Sequence, residues 1–140
     1  MNEKEFEVST DDALLDLDWV VPTIKASYFG GWRSEDLIRK SIKGSLNFGL
    51  YWRPADQPRV CHQVGFARVI TDACTFNYVC DVIIDQDRRR DGLGQFLMRH
   101  IIAHPDLASG VSVLGTRDAH GFYSKFGYNR VEMMKRIPPK

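Results

Sequence analysis

Between Val82 and Gly94 the chain changes character three times, and no other stretch restricts its fold as tightly. The run Tyr78-Val79-Cys80-Asp81-Val82-Ile83-Ile84 is nearly continuous apolar, the pattern of a strand covered on both faces. Arg88, Arg89 and Arg90 follow, then Gly92 and Gly94 one residue apart. From about Gly92 to Ala103, Leu93, Phe96, Leu97 and Ile101 mark the apolar face of a helix that His104-Pro105 stops. A buried strand turning through glycines into a helix presents unpaired backbone N–H groups at the positive end of the helix dipole, an arrangement that takes a phosphate. Glycine lets that backbone approach closely, and arginine adds charge-assisted hydrogen bonds.

The rest of the pattern surrounds this junction with alternating elements. Leu17, Val20, Val21, Ile24 and Tyr28 fall at helical spacing, and Pro22 among them fits if Asp18 is the N-cap and the helix starts at Trp19. Ser34 caps a second helix with Leu37, Ile38, Ser41 and Ile42 on one face, and Tyr28-Phe29-Gly30-Gly31-Trp32 forms an aromatic, glycine-hinged loop between the two. Asn47 to Trp52 and His62 to Ile70 read as strands separated by the proline-marked turn Arg53–Arg59, with Gly65 as a bulge or close-approach point. Thr71-Asp72-Ala73 turns the chain into a strand from Thr75 to Asp85. Beyond the central helix, Val111 to Leu114 reads as a buried strand, Ala119 to Phe126 as a short helix ended by Gly127, and Tyr128 to Met134 as a strand that closes the sheet. The predicted order is β-α-α-β-β-β-α-β-α-β, an α/β (α+β) chain whose sheet is mixed and mostly antiparallel.

Composition narrows the function. The 140 residues suit one domain, residues 1–140, and a net charge of +1 argues against a chain that coats DNA or an anionic membrane. No run of eighteen apolar residues is present, and the polar start Met1-Asn2-Glu3-Lys4-Glu5 is unlike a signal peptide. Cys61, Cys74 and Cys80 form neither a CxxC nor a zinc-finger spacing, so reduced thiols, a cytoplasmic setting and no bound metal are expected.

Gly94-Gln95-Phe96 lacks the Lys-Ser/Thr of a P-loop, and Leu97 stands where a dinucleotide fingerprint needs its third glycine. What remains is Arg-x-x-Gly-x-Gly after a strand, carried by Arg89, Gly92 and Gly94, and it resembles the signature of the GNAT superfamily of acetyl-CoA-dependent N-acyltransferases. Arg117-Asp118-Ala119-His120-Gly121-Phe122-Tyr123-Ser124-Lys125-Phe126-Gly127-Tyr128 resembles the second landmark of that family, one helix and one strand further on. Asn47–Tyr51, Val64–Arg68 and Thr116–Tyr123 are similar to a group of small bacterial GNAT proteins whose substrates are mostly unassigned. The loop departs from the family pattern at Gln86, Arg88 and Arg90, which replace proline, tyrosine and the first glycine, and Thr116 replaces a frequent asparagine.

The resemblance implies an N-acetyltransferase moving an acetyl group from acetyl-CoA to a primary amine of a small molecule or peptide, acting as a monomer or homodimer without nucleic acid or membrane. It places the cofactor on Val82, Ile83, Ile84, Arg89, Arg90, Asp91, Gly92, Leu93 and Gly94, with backbone groups of Val82 and Ile84 freed where the strand splays from its neighbour. Acyl transfer passes through an oxyanion that needs positioned donors, and the leaving thiolate needs a proton, for which Tyr123 matches the tyrosine of the family. Phe122 and Phe126 form the i,i+4 apolar pair of that helix, so Tyr123 points elsewhere. For the base the chain offers Asp81 on the central strand, His120 at the helix start, or water; Tyr28, Trp32 and Tyr78 either wall an acceptor pocket or fill the core. A non-catalytic acyl-CoA-binding or regulatory module on the same scaffold is the alternative, and a nucleic-acid binder using the arginine loop is disfavoured by the charge balance.

Overall fold

The computed structural model describes residues 2–139. Five strands, β1 (Phe6–Ser9), β2 (Leu46–Trp52), β3 (His62–Thr71), β4 (Phe76–Ile84) and β5 (Val111–Val113), lie in one sheet in the order β1-β2-β3-β4-β5. The first four pair antiparallel, and β5 joins β4 in parallel after a crossover. That crossover is a helix, α3 (Leu93–Ala103), as a parallel connection requires.

Helices cover both faces, which explains why β2 and β3 are buried almost throughout. α1 (Leu17–Ala26) and α2 (Glu35–Lys43) bring Val20, Val21, Ile24, Ile38 and Ile42 against Phe66 and Ile83 on one face. Leu93, Phe96, Leu97, Met98 and Ile101 of α3 pack on Phe48, Leu50, Val64, Val69 and Val79 on the other. Ser34 caps α2 as expected, its hydroxyl accepting from Leu37 N–H at 3.1 Å, but Leu37 itself stays exposed.

Three sequence expectations are corrected by the structure. α1 starts at Leu17 because Asp16, not Asp18, is the N-cap, accepting from Trp19 N–H at 3.3 Å. Pro22 therefore lies in the second turn and leaves the Asp18 carbonyl without its intrahelical donor. β5 is an edge strand and not buried, with Val111 67% exposed. Residues 128–134 form no strand, and the order among the described residues is β-α-α-β-β-β-α-β-α, the last element being α4 (His120–Ser124). Gly127, at φ 89°, ends that last helical turn.

Two irregularities shape the sheet. Leu50 pairs with Gly65 but Tyr51 with Gln63, so Val64 bulges from β3 beside the expected site. Gly65 is the close-approach point, since a Cβ there would stand 3.0 Å from Leu50 Cβ and 3.1 Å from Ile84 Cδ1. Further along, Phe66 pairs with Ile83 but Arg68 with Cys80, so Asp81 and Val82 of β4 together face Ala67. Asp81 adopts φ 51° in this bulge, a left-handed conformation that non-glycine residues rarely take.

Candidate active site

β4 is longer than its parallel neighbour, and that inequality opens the site. β5 pairs only with Phe76, Asn77 and Tyr78, so from Val79 onward this flank of β4 has no ladder partner. Asp85 N–H donates to the Val64 carbonyl at 2.7 Å, toward β3. Backbone groups alternate along a strand, so the N–H groups of Ile84 and Val82 face the open flank, while Ile83 turns its N–H toward β3 and its side chain into the α1/α2 layer.

At the end of the flank the chain reaches the arginine loop. Arg88 is taken up by the fold, its Cζ 4.1 Å above the Trp52 ring and 5.9 Å from that of Phe6. Arg89, Arg90 and Asp91 are exposed, and neither arginine has a carboxylate within ion-pair distance among the described residues. Arg90 holds φ 76° at the position where the family pattern has glycine, and Gly92 follows at φ 81°. Gly92 caps α3 without a side-chain bond, and Phe96 N–H is the first to find an intrahelical acceptor, so Leu93, Gly94 and Gln95 offer free N–H groups. Leu93 can contribute only its backbone, because its side chain is core. Gly94 also serves packing, since a Cβ there would meet Phe122 Cζ at 3.2 Å.

α4 follows β5 and reaches the start of α3 through Phe122, beside Gly94. Tyr123 lies edge-on to Phe122 at 5.0 Å and to Tyr128 at 6.1 Å, and its hydroxyl makes no hydrogen bond among the described residues. Burial, with smaller contributions from Tyr28 and Tyr128, pushes its pKa up and keeps it a phenol. Thr116 spends its hydroxyl locally, accepting from Ala119 N–H at 3.0 Å. Tyr28 is 58% exposed under Arg117, whose Cζ sits 3.8 Å above the ring, so the aromatic loop meets the start of the α4 segment. The Tyr78 hydroxyl points toward Gly115, at the place where β4 and β5 part. Tyr28, Tyr78 and Tyr123 thus gather at one mouth, and Tyr28, Trp32 and Tyr78 are surface residues, not core. Trp32 projects further out, with Arg33 against its ring.

The two candidate bases differ sharply in setting. Asp81 is buried and receives hydrogen bonds from Arg33 Nη1 (3.0 Å), Arg33 Nη2 (2.7 Å) and Arg68 Nε (2.9 Å). Burial pushes this carboxyl up, but the hydrogen bonds and charges of Arg33 and Arg68 outweigh it and hold it below the usual carboxylate range. A carboxylate so stabilised is a weak base, and its place in the bulge suits an anchor. His120 is half-buried at the first position of α4, on the wall of a concavity shared with Tyr123, and makes no hydrogen bond among the described residues. Cys80, beside the anchor, is pushed up to about 11 chiefly by burial and stays a thiol.

Sequence reasoning missed Arg33 and Arg68, which stand 48 and 13 residues from Asp81 and obey no spacing rule. The available signal was Asp81 itself, because an aspartate inside an apolar strand requires buried countercharge. Among the described residues no helix is long and apolar enough to cross a membrane, and no group of His, Cys, Asp and Glu is placed to hold a metal ion.

Comparison with known proteins agrees with this fold. A solved candidate acetyltransferase of the GNAT family from Xanthomonas campestris is 34% identical, with a TM-score of 0.84 over 96% of this chain and 94% of that one. A candidate acetyltransferase of Gibberella zeae is 30% identical over 108 residues, covering 68% of this chain, which spans 61% of that relative. The ribosomal-protein-S18-alanine N-acetyltransferase of Escherichia coli, 20% identical, shares the fold with a TM-score of 0.65 over 91% of this chain and 79% of that one. The family model for the acetyltransferase (GNAT) domain matches residues 54–130, and the chain belongs to the GNAT acetyltransferase family.

Proposed function

We propose that this chain is an N-acetyltransferase that moves the acetyl group of acetyl-CoA to a primary amine of a small molecule or peptide. The observation that carries the reading is the unpaired flank of β4, which leads to the arginine loop and the free N–H groups of α3. Acetyl-CoA supplies an activated thioester and a pyrophosphate handle. The residues fit both: Leu93, Gly94 and Gln95 N–H groups with Arg89 and Arg90 suit the pyrophosphate, and the open Val82 and Ile84 groups suit the pantetheine and the acetyl carbonyl.

Each residue then has a definite task. Backbone donors on the open flank stabilise negative charge developing on the carbonyl oxygen. Tyr123 holds its proton at neutral pH and donates it to the departing sulfur, a role worth typically ~10²–10⁴-fold. Tyr28, Trp32 and Tyr78 wall the side from which the amine arrives. His120 or water removes the amine proton. The domain extends over residues 1–140, and the cytoplasm is the proposed setting, in keeping with three unpaired cysteines.

Two measurements test the reading. Acetyl-CoA should raise the melting temperature where ATP and duplex DNA do not. Thiol release across a panel of amines should then exceed hydrolysis for at least one acceptor. Stabilisation without turnover on any amine would favour an acyl-CoA-binding module, and no stabilisation would overturn both.

A further inference from the structure

We infer that the acceptor amine carries a carboxylate and that Arg117 binds it; the inference rests on the acetyltransferase reading above and names the class of substrate. Two cations lie against the aromatic wall of the mouth, and both are guanidiniums. Arg117 Cζ stands 3.8 Å above the Tyr28 ring, and Arg33 Cζ stands 5.7 Å from the centre of the Trp32 ring. Arg117 belongs to the connection between β5 and α4, two residues beyond Gly115, where a Cβ would stand 3.9 Å from the Tyr78 hydroxyl. It is thereby placed with Tyr28 and Tyr78 on the acceptor side, whereas Arg89 and Arg90 lie past the far end of the open flank of β4.

The charge of Arg117 is unspent. Its one carboxylate partner among the described residues is the neighbouring Asp118, at 3.9 Å and with both side chains largely exposed. An ion pair that long and that wet contributes little. Stacking on Tyr28 holds the plane of the guanidinium while its N–H groups project from the edge, the arrangement that receives a carboxylate two-pronged.

The charges behind the wall point the same way. Arg33 and Arg68 share the single carboxylate of Asp81, so this buried cluster keeps one positive charge in excess. Arg33 spends both Nη atoms on Asp81, and its Nε, shut off from water, has no acceptor. Lys25 adds a further cation, its Nζ donating to the carbonyls of Gly31 at 2.8 Å and Arg33 at 2.7 Å. Glu35 and Asp36 follow in the first turn of α2, where the helix N-terminus holds their charge. An amine approaches as an ammonium and meets like charge, and a carboxylate on the same molecule turns that repulsion into an ion pair. A single free guanidinium matches one carboxylate; a phosphate dianion calls for more cation than the wall presents.

Matched pairs of amines test the assignment: glycine with glycinamide, β-alanine with β-alaninamide and γ-aminobutyrate with its amide, alongside O-phosphoethanolamine. At the chain length turned over fastest, the acid should exceed its amide in kcat/KM by about tenfold or more. Arg117→Leu, at an exposed site, should abolish this preference by raising the KM of the acid, while the acetyl-CoA dissociation constant stays within about twofold. Arg117→Lys should retain part of it. A second readout needs no turnover: with CoA present, at least one acid should raise the melting temperature of the wild type but not of Arg117→Leu, and its amide should raise neither. Amides equal to their acids at every length, phosphate preferred over every carboxylate, a preference that survives Arg117→Leu, or no melting shift from any acid would each overturn the assignment. A melting shift without turnover on any amine would support the carboxylate site and count against acetyl transfer.

Discussion

The Arg33 guanidinium grips both carboxylate oxygens of Asp81 and so ties the α1–α2 connection to the bulge in β4. Arg68 binds the same carboxylate from the neighbouring strand and donates onward to Ser45 Oγ at 3.0 Å. All three charges are nearly or wholly withdrawn from water. Removing one partner of such a group leaves an uncompensated buried charge, so Arg33→Met should destabilise the fold by about 3–5 kcal/mol in urea titration. Arg33→Lys keeps the charge but loses the two-pronged geometry, and should fall between the variant and the wild type.

Acid should expose the same cluster. The folded-state pKa of Asp81 lies below its unfolded value, so its stabilisation is complete above about pH 4 and is lost as pH falls through the lower folded value. The melting temperature should decline on acidification below about pH 4, in step with the Asp81 carboxyl carbon followed by NMR. A carboxyl titrating at or above the ordinary value would contradict the arrangement.

Tyr123→Phe should lower kcat by ~10²-fold or more while leaving the acetyl-CoA dissociation constant within about twofold. Because burial raises the pKa of this phenol, the wild type should keep its acid beyond the ordinary tyrosine value of about 10. A pH–rate profile measured on a stable plateau of protein fold checks the sign.

Ala73 occupies φ 62° in the β3–β4 turn, where Asp72 and Thr71 accept the surrounding N–H groups. Left-handed backbone costs an alanine roughly 1–2 kcal/mol, and Ala73→Gly removes that strain without touching a side-chain contact. The melting temperature should rise by roughly 3–5 °C in calorimetry.

Gly49 of β2 faces the Tyr51 ring so closely that a Cβ would overlap the phenol. Gly49→Ala should therefore cost about 1–3 kcal/mol by overpacking. Tyr51→Phe should be neutral or stabilising, since it removes a buried hydroxyl that has no partner. Paired denaturation curves of the two variants decide both.

How much of this was legible depended on range. Ser34, Gly92 and Gly127 announce element ends through local chemistry, and the strand–arginine–glycine–helix junction read between Val82 and Gly94 is the one the chain forms. Asp16 and Asp18 are both able caps, and the choice between them rests on packing that sequence does not display. One such contact is the 2.8 Å bond from Asp16 N–H to Gln63. The bulge at Asp81 was invisible because Arg33 and Arg68, which hold its carboxylate, are brought together only by folding. Residues 128–134 alternate as a strand does, but a period of two says that a segment suits a sheet, and not which sheet.

The shortness of β5 also sets where the molecule opens. Three ladder pairs and the Asn77 side chain, which donates to Leu107 O and Ser112 Oγ, fasten β5 to β4, whereas β2 and β3 share a ladder seven pairs long. Local opening free energies follow such differences, so amide protons of 111–113 should exchange with solvent well before those of β3. The two lips of the site therefore belong to units of unequal stability, one rigid and one loosely sewn. A molecule that grips both lips at once acts as a stitch, and its binding is felt as slowed exchange throughout the weaker unit.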